Sequence, residues 1–140
     1  MVIKQLNKEN CTEILELTHH LNTETTLEVL KERQMEMFEF GNYICFGGYQ
    51  ENTLVAISSG WLTVRLYSGR QLEVDNVIIS PNCQSQGVGT EFLQVLEEWA
   101  KTNKCKTVEL NTYVQNGRSH KFYFNQGYEI LGFHFQKNIS

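Results

Sequence analysis

Gln84-Ser85-Gln86-Gly87-Val88-Gly89 stands between the apolar run Val77-Ile78-Ile79 and a segment from Thr90 to about Thr102. In that segment Phe92, Leu93, Leu96, Trp99 and Ala100 recur at helical spacing. The stretch therefore reads as a strand that turns through glycines into a helix. Glycine lets a ligand approach the backbone closely. A helix start directs amide N–H groups and about half a positive charge outward. Gln84 to Thr90 is thus a seat for phosphate groups. By itself a G-x-G is expected roughly 0.7 times by chance at ordinary glycine frequency, and a tight turn without a ligand fits it as well. Two familiar phosphate motifs are excluded. The dinucleotide fingerprint needs a glycine where Phe92 stands, which makes Glu109, about 20 residues on, a decoy. The nucleotide P-loop needs Gly-Lys-Ser/Thr, and the chain has no such run.

Working outward, Val2 to Leu6 is a short strand. Asn10 to Leu21 is a helix with Ile14, Leu15, Leu17, Thr18 and Leu21 on one face. A second helix runs from Thr26 to Phe40 with Leu27, Leu30, Gln34, Met37 and Phe38 in phase, and Gly41-Asn42 ends it. Tyr43 to Tyr49, Leu54 to Leu66 and Gln71 to Ile79 are three strands joined by turns. After the glycine turn and its helix come a strand from Thr107 to Tyr113, a helix from Ser119 to Asn125 and a final strand from Tyr128 to Gln136. The order β-α-α-β-β-β-α-β-α-β predicts one α/β (α+β) domain over residues 1–140. Its mixed, mostly antiparallel sheet of six to seven strands has helices on both faces.

The bulk numbers narrow the function. A chain of 140 residues with 41% hydrophobic and 20% charged residues is ordinary for a globular domain. At this size roughly 70% of the extended surface is buried on folding. A net charge of −4 opposes general nucleic-acid binding. The four cysteines, Cys11, Cys45, Cys83 and Cys105, form no C-x-x-C pair, so neither a zinc site nor a disulfide framework is expected. With no apolar signal region and no run of about 20 apolar residues, a cytoplasmic protein that does not enter membranes is expected.

A second motif decides between the readings: Asn116-Gly117-Arg118-Ser119-His120-Lys121-Phe122-Tyr123-Phe124-Asn125-Gln126-Gly127-Tyr128. Together with the glycine turn it resembles the GNAT superfamily of acyl-CoA-dependent N-acyltransferases. Gln84, Gly87 and Gly89 match that family's Gln/Arg-x-x-Gly-x-Gly/Ala signature, and Asn116, Ser119, Phe122-Tyr123 and Gly127-Tyr128 fill its later pattern in register. Ile79-Ser80-Pro81 stands where Val-x-Pro is common. The chain departs at Ser85 and Ser119, where Gly and Ala are frequent, and at Tyr128, where Phe is usual. The match covers roughly residues 71 to 130.

The resemblance implies a fold, a donor and roles. The donor is acetyl-CoA, the acceptor a primary amine of a small molecule or peptide, and transfer is direct, with no metal. Backbone groups of Val77, Ile78 and Ile79 would pair with the pantetheine arm. Gln84, Ser85, Gln86, Gly87, Val88, Gly89 and Thr90 would hold the pyrophosphate. Asn116, Ser119 and Phe122 would complete the cofactor site. Tyr123 would protonate the leaving thiolate, since a phenol with a pKa near 10 keeps its proton at neutral pH. Glu73, or failing that Asp75, would take the amine proton. The two stand two residues apart on one strand and so face the same way. The bland reading makes Tyr123 a core aromatic and the carboxylates a solvated face. His120, His19 and His20 read as surface residues. Glu24, Glu28, Glu32 and Glu36 read as a solvated face or as an acidic rim that attracts a cationic acceptor. A homodimer is compatible with the family. The alternative function is a non-catalytic CoA-binding regulatory module.

Overall fold

The computed structural model describes residues 1–140, the side chain of Leu21 excepted. The chain forms two compact units, Met1–Glu109 and Leu110–Ser140. In the first, strand β1 (Val2–Gln5) is followed by helices α1 (Cys11–Leu21) and α2 (Leu27–Glu39). Strands β2 (Tyr43–Gln50), β3 (Thr53–Arg65) and β4 (Gly69–Ile79), helix α3 (Val88–Thr102) and all but the last residue of strand β5 (Thr107–Leu110) complete it. The second unit holds helix α4 (Gly117–Asn125). The sheet has five strands in the order β1-β2-β3-β4-β5. The first four pair antiparallel as a meander, and α3 is the crossover between β4 and β5.

Alternation along the strands makes two apolar faces. On one, Cys45, Tyr49, Leu54 and Ile57 form a buried cluster with Leu6 and with Ile14 and Leu17 of α1. Phe38, Tyr43 and Ile78 pack against that cluster. Leu21, expected on the same helical face, lies outside the described side chains. The other face presents Leu72 and Val74, and α3 buries Phe92, Leu93, Leu96 and Ala100. These four are members of the apolar stripe read from the sequence; Trp99, the fifth, is half-buried. On α2 the stripe is shorter than expected, since Leu27 is exposed; Glu28, Glu32 and Glu36 of α2 and Glu24 just before it are exposed too.

The sheet has five strands, not the six to seven expected. Residues 128–136, expected as a last strand, have no strand pairing. Tyr128 N–H instead donates to the Tyr123 carbonyl at 3.0 Å, closing α4. The alternation of Ile130, Phe133 and Phe135 marks side-chain faces, but a strand also needs a neighbour's backbone, which a one-dimensional pattern does not supply. Two helices start two residues early, each because of its cap. α3 starts at Val88 after Gly87 in the left-handed conformation, φ 78°. α4 starts at Gly117 because the Asn116 side chain caps it. Among the described residues no helix is long and apolar enough to cross a membrane.

Candidate active site

In the first unit the candidates lie along β4 and the turn after it. Val77, Ile78 and Ile79 pair on one side with Ser58, Ile57 and Ala56 of β3. On the other side, β5 runs beside the beginning of β4, where Lys106 N–H donates to the Arg70 carbonyl at 2.7 Å. β5 has 4 residues and β4 has 11, so β5 ends well before Val77 is reached. The outer edge of Val77–Ile79 thus runs past the end of its neighbour, and an extended ligand can add there as a strand does.

The chain leaves that edge through a short 3-10 turn, Pro81–Cys83, and reaches α3 through two positive-φ residues, Ser85 (66°) and Gly87 (78°). At Gly87 a Cβ would meet no atom within 4 Å. Glycine is required there by the backbone angle and not by crowding. Glu91 N–H makes the first helical bond, to the Gly87 carbonyl at 3.1 Å. The amides of Val88 and Gly89 belong to the first turn, whose N–H groups have no acceptor inside a helix. The side chains of Gln84 and Gln86 turn back, donating to the carbonyls of Ile79 (3.5 Å) and Asn82 (3.3 Å). An αL turn followed by first-turn amides is a backbone arrangement that can hold an anion.

The two candidate carboxylates have different surroundings. Register shifts between Ser59 and Gly60: Ser59 opposes Asn76, and Gly60 opposes Val74. Asp75 is therefore the extra residue of a β-bulge. Gly60 is needed at this crossing, since a Cβ would sit 2.8 Å from the Glu73 carbonyl oxygen. Glu73 is engaged by Arg65 at 3.3 Å. Asp75 accepts from Asn76 Nδ2 at 2.9 Å. Neighbours on a regular strand point to opposite faces, and the bulge is what lets these two meet. Although Asp75 as a residue is exposed, partial burial of its carboxyl pushes its pKa up. A hydrogen bond from Trp61 works in the other direction, and the Glu73 charge adds to the rise. Trp61 stands in an aromatic row, its ring tilted against Tyr43 at 4.9 Å and edge to face with Phe40 at 5.5 Å.

In the second unit Asn116 Oδ1 accepts from Ser119 N–H at 3.2 Å. This cap explains the Asn-x-x-Ser spacing in local terms. One turn later Phe122 and Tyr123 meet edge to face at 5.2 Å, and Tyr123 meets Tyr128 at 5.8 Å. Burial pushes the Tyr123 phenol above its ordinary value, so it keeps its proton at neutral and mildly alkaline pH. His120 Nε2 lies 2.9 Å from the Tyr113 carbonyl, a local contact.

Other groups are set apart from these. A surface cavity of about 410 Å³ is lined by Glu13, Glu16, Leu17, His20, Asn52, Thr53 and Leu54, and none of the candidate residues lines it. All four cysteines are free thiols, and Cys83, beside the turn, is buried with its sulfur 3.4 Å from Gln50 Oε1. Sequence reading missed Trp61, Asn76 and Arg65. Their residue types were visible, but only the bulge and the β3–β4 register bring them to the carboxylates.

The profile of the acetyltransferase (GNAT) family matches residues 2–128. The chain is 25% identical over 139 residues to "Uncharacterized N-acetyltransferase YhdJ" of Bacillus subtilis (strain 168), with 98% of each chain covered. Its fold matches the aminoglycoside 6'-N-acetyltransferase AAC(6')-IG of Acinetobacter haemolyticus with a TM-score of 0.83, at 17% identity over 100% of both chains. It also matches AAC(6')-Iy, solved with a bisubstrate analog of CoA and acetylneamine, with a TM-score of 0.84 at 14% identity, covering 99% of this chain and 98% of that one. With the profile matching nearly from end to end, the chain belongs to the acetyltransferase (GNAT) family, enzymes that transfer acetyl groups to amines.

Proposed function

We propose that this enzyme moves the acetyl group of acetyl-CoA directly to a primary amine in a single ternary complex, with Asp75 as the proton acceptor and Tyr123 as the proton donor. One observation carries the reading: a bulged carboxylate sits on the same strand as an open edge, Val77–Ile79, that leads into the anion seat at α3. Donor groove and base are then built from one continuous piece of chain. The pantetheine arm lies along the Val77–Ile79 edge, and the pyrophosphate rests on the amides of the Gln84–Thr90 turn. Asn116, Ser119 and Phe122 support the donor from α4. The reacting amine, having released its ammonium proton to solvent, bonds through its neutral nitrogen to the thioester carbonyl carbon, and the C–S bond breaks. The amine proton passes to the Asp75 carboxylate, directly or through water, while the sulfur takes a proton from the Tyr123 hydroxyl. Products are an N-acetyl amide and the free CoA thiol.

Asp75 is preferred to Glu73 because Glu73 is held by Arg65, whereas Asp75 has a raised affinity for protons and only neutral donors on it. The acceptor is a cationic amine, drawn by Asp75, Glu73 and the acidic face of α2. The AAC(6')-Iy structure, with CoA joined to an aminoglycoside analog, supports this class of acceptor. A cytoplasmic homodimer is the proposed form. Exposed Phe133 and Phe135 near the C-terminus, 88% and 90% accessible, support it, and sedimentation of a monomer at micromolar concentration would remove it.

Calorimetry with CoA, followed by thiol release from acetyl-CoA with spermidine, kanamycin and a lysine peptide as acceptors, tests the function. Binding together with thiol release is expected. Binding without release to any amine would instead favour a non-catalytic CoA module, and absence of binding at high micromolar CoA would overturn the reading of the turn.

A further inference from the structure

A line of polar side chains crosses the sheet on the face that α1 and α2 cover. It starts on α2 at Gln34, which is 8% exposed. Gln34 Nε2 donates to the Tyr43 hydroxyl at 3.4 Å. Next in the line is Ser59, 0% exposed, whose hydroxyl acts on the Tyr43 phenol and opposes the rise that burial gives its pKa. Asn76 Nδ2 lies 3.4 Å from Ser59 Oγ and 2.9 Å from Asp75 Oδ2. The backbone of Asn76 is tied as well, its carbonyl accepting from Ser58 Oγ at 3.1 Å.

Gln34 and Ser59 are buried and Tyr43 and Asn76 half-buried, a polar line that packing does not explain. Apolar residues of similar size would avoid the desolvation of each. Two of the joints are at the long end of hydrogen-bond geometry, so the line adds little net stability. What it does supply is orientation. The Ser59 hydroxyl, 3.4 Å from Asn76 Nδ2, favours the rotamer in which that amide meets Asp75. Ser59 is fixed in turn by Tyr43, and Tyr43 by Gln34 and by its ring contacts with Phe38 (5.2 Å) and Trp61 (4.9 Å).

We propose that Asn76 is a positioning residue for the Asp75 carboxylate, anchored through Ser59 and Tyr43 to Gln34, so that the packing of α2 sets the aim of the base. The inference deepens the reading of Asp75 as proton acceptor and rests on it. The groups that act on Asp75 are Glu73 on its own strand, Trp61 on β3 and Tyr43 on β2, while Cys45 acts on Tyr43. Burial holds Tyr43 well above its ordinary value and Cys45 up to about 12, so both remain neutral through the working range. Arg65 is occupied by Glu73. The ionisation of Asp75 is therefore governed by its burial, the Glu73 charge and the neutral donors Asn76 and Trp61.

Carbon-13 NMR of the Asp75 carboxyl through a pH titration of the whole chain reads this without turnover. Asn76→Ala removes a donor to the charged form, so the midpoint moves up from the wild-type value. Trp61→Phe, the control, moves it the same way. Tyr43→Phe keeps the ring packing and deletes only the hydroxyl joint; it moves the midpoint up by less than Asn76→Ala, and Asn76→Gln returns part of the Asn76→Ala change. CoA affinity by calorimetry stays within about twofold throughout, as expected for groups away from the donor seat. If Tyr43→Phe and Ser59→Ala leave the midpoint unmoved while lowering the melting temperature, the line is core packing and the proposal falls. If wild-type enzyme transfers no acetyl group yet the midpoints move as stated, the line stands and the role of Asp75 in transfer falls.

Discussion

Gly60→Ala tests whether the β3–β4 bulge aims the base. The new methyl would stand 2.8 Å from the Glu73 carbonyl oxygen and 2.9 Å from Leu72 Cδ1. A relaxed carbon–oxygen contact is about 3.3 Å or longer, so roughly half an ångström must be found. The leucine methyl can move aside, but the carbonyl is part of the backbone and can retreat only if β4 moves. Overpacking of this kind costs roughly 1–3 kcal/mol. With about 2.1 cal/mol/K per residue, the 140 residues give a melting entropy near 0.3 kcal/mol/K. The melting temperature should therefore fall by roughly 3–10 °C. The movement falls on Val74 to Asn76, the bulge itself. If an error of about 1 Å in a reacting group costs about 100-fold, half of that costs about 10-fold in kcat. The donor seat at Gln84–Thr90 is separate, so CoA affinity holds. The assays are scanning calorimetry, CoA titration and thiol-release kinetics on wild type and variant. A lower melting temperature with unchanged kcat would refute the claim that the bulge aims a reacting group. An unchanged melting temperature would refute the claim that the crossing is tight.

Tyr123→Phe keeps the ring contacts and removes only the hydroxyl; kcat should fall about 100-fold or more, as for loss of a general acid, with CoA affinity within about twofold, and equal turnover by thiol release would take Tyr123 out of the acid role. Gly87→Ala forces a Cβ into φ 78° with no atom nearby to clash, so about 1–2 kcal/mol of strain and a melting temperature lower by roughly 3–7 °C are expected, together with weaker CoA binding; normal stability by calorimetry would show that the left-handed turn is dispensable. Asp75→Asn should remove transfer and raise stability at pH 7. A carboxyl whose folded pKa is raised favours the protonated native state, an advantage complete below about 3.8 and lost as pH rises through the folded value. The variant's gain in melting temperature should therefore shrink as pH is lowered toward 4, and a gain that grows on acidification would overturn the sign of the shift.

The sequence disclosed the periodic parts of this molecule and left the paired parts hidden. Phe92, Leu93, Leu96 and Ala100 are buried as their spacing required, because a helix repeats within itself. The turn before them was legible too, since Gly87 in a left-handed cap is a local requirement. Residues 128–136 failed for the complementary reason: their alternation states which side chains share a face, but pairing depends on a second backbone. The carboxylates show the same limit at the site. A period of two puts Glu73 and Asp75 on one face and offers no reason to choose between them. The choice comes from strand pairing, which the period does not record. Arg65 reaches across the hairpin to Glu73, and a register shift at Ser59–Gly60 turns Asp75 and Asn76 toward each other. The bulge has no signature of its own in the chain, because Gly60 is one of ten glycines and only its distance to the Glu73 carbonyl marks it as the crossing point. Placing Asp75 at an irregularity has a physical consequence. A regular strand would set Asp75 and Asn76 on opposite faces, whereas the extra residue lets one strand supply both the carboxylate and its donor, at the cost of one unpaired position in the ladder.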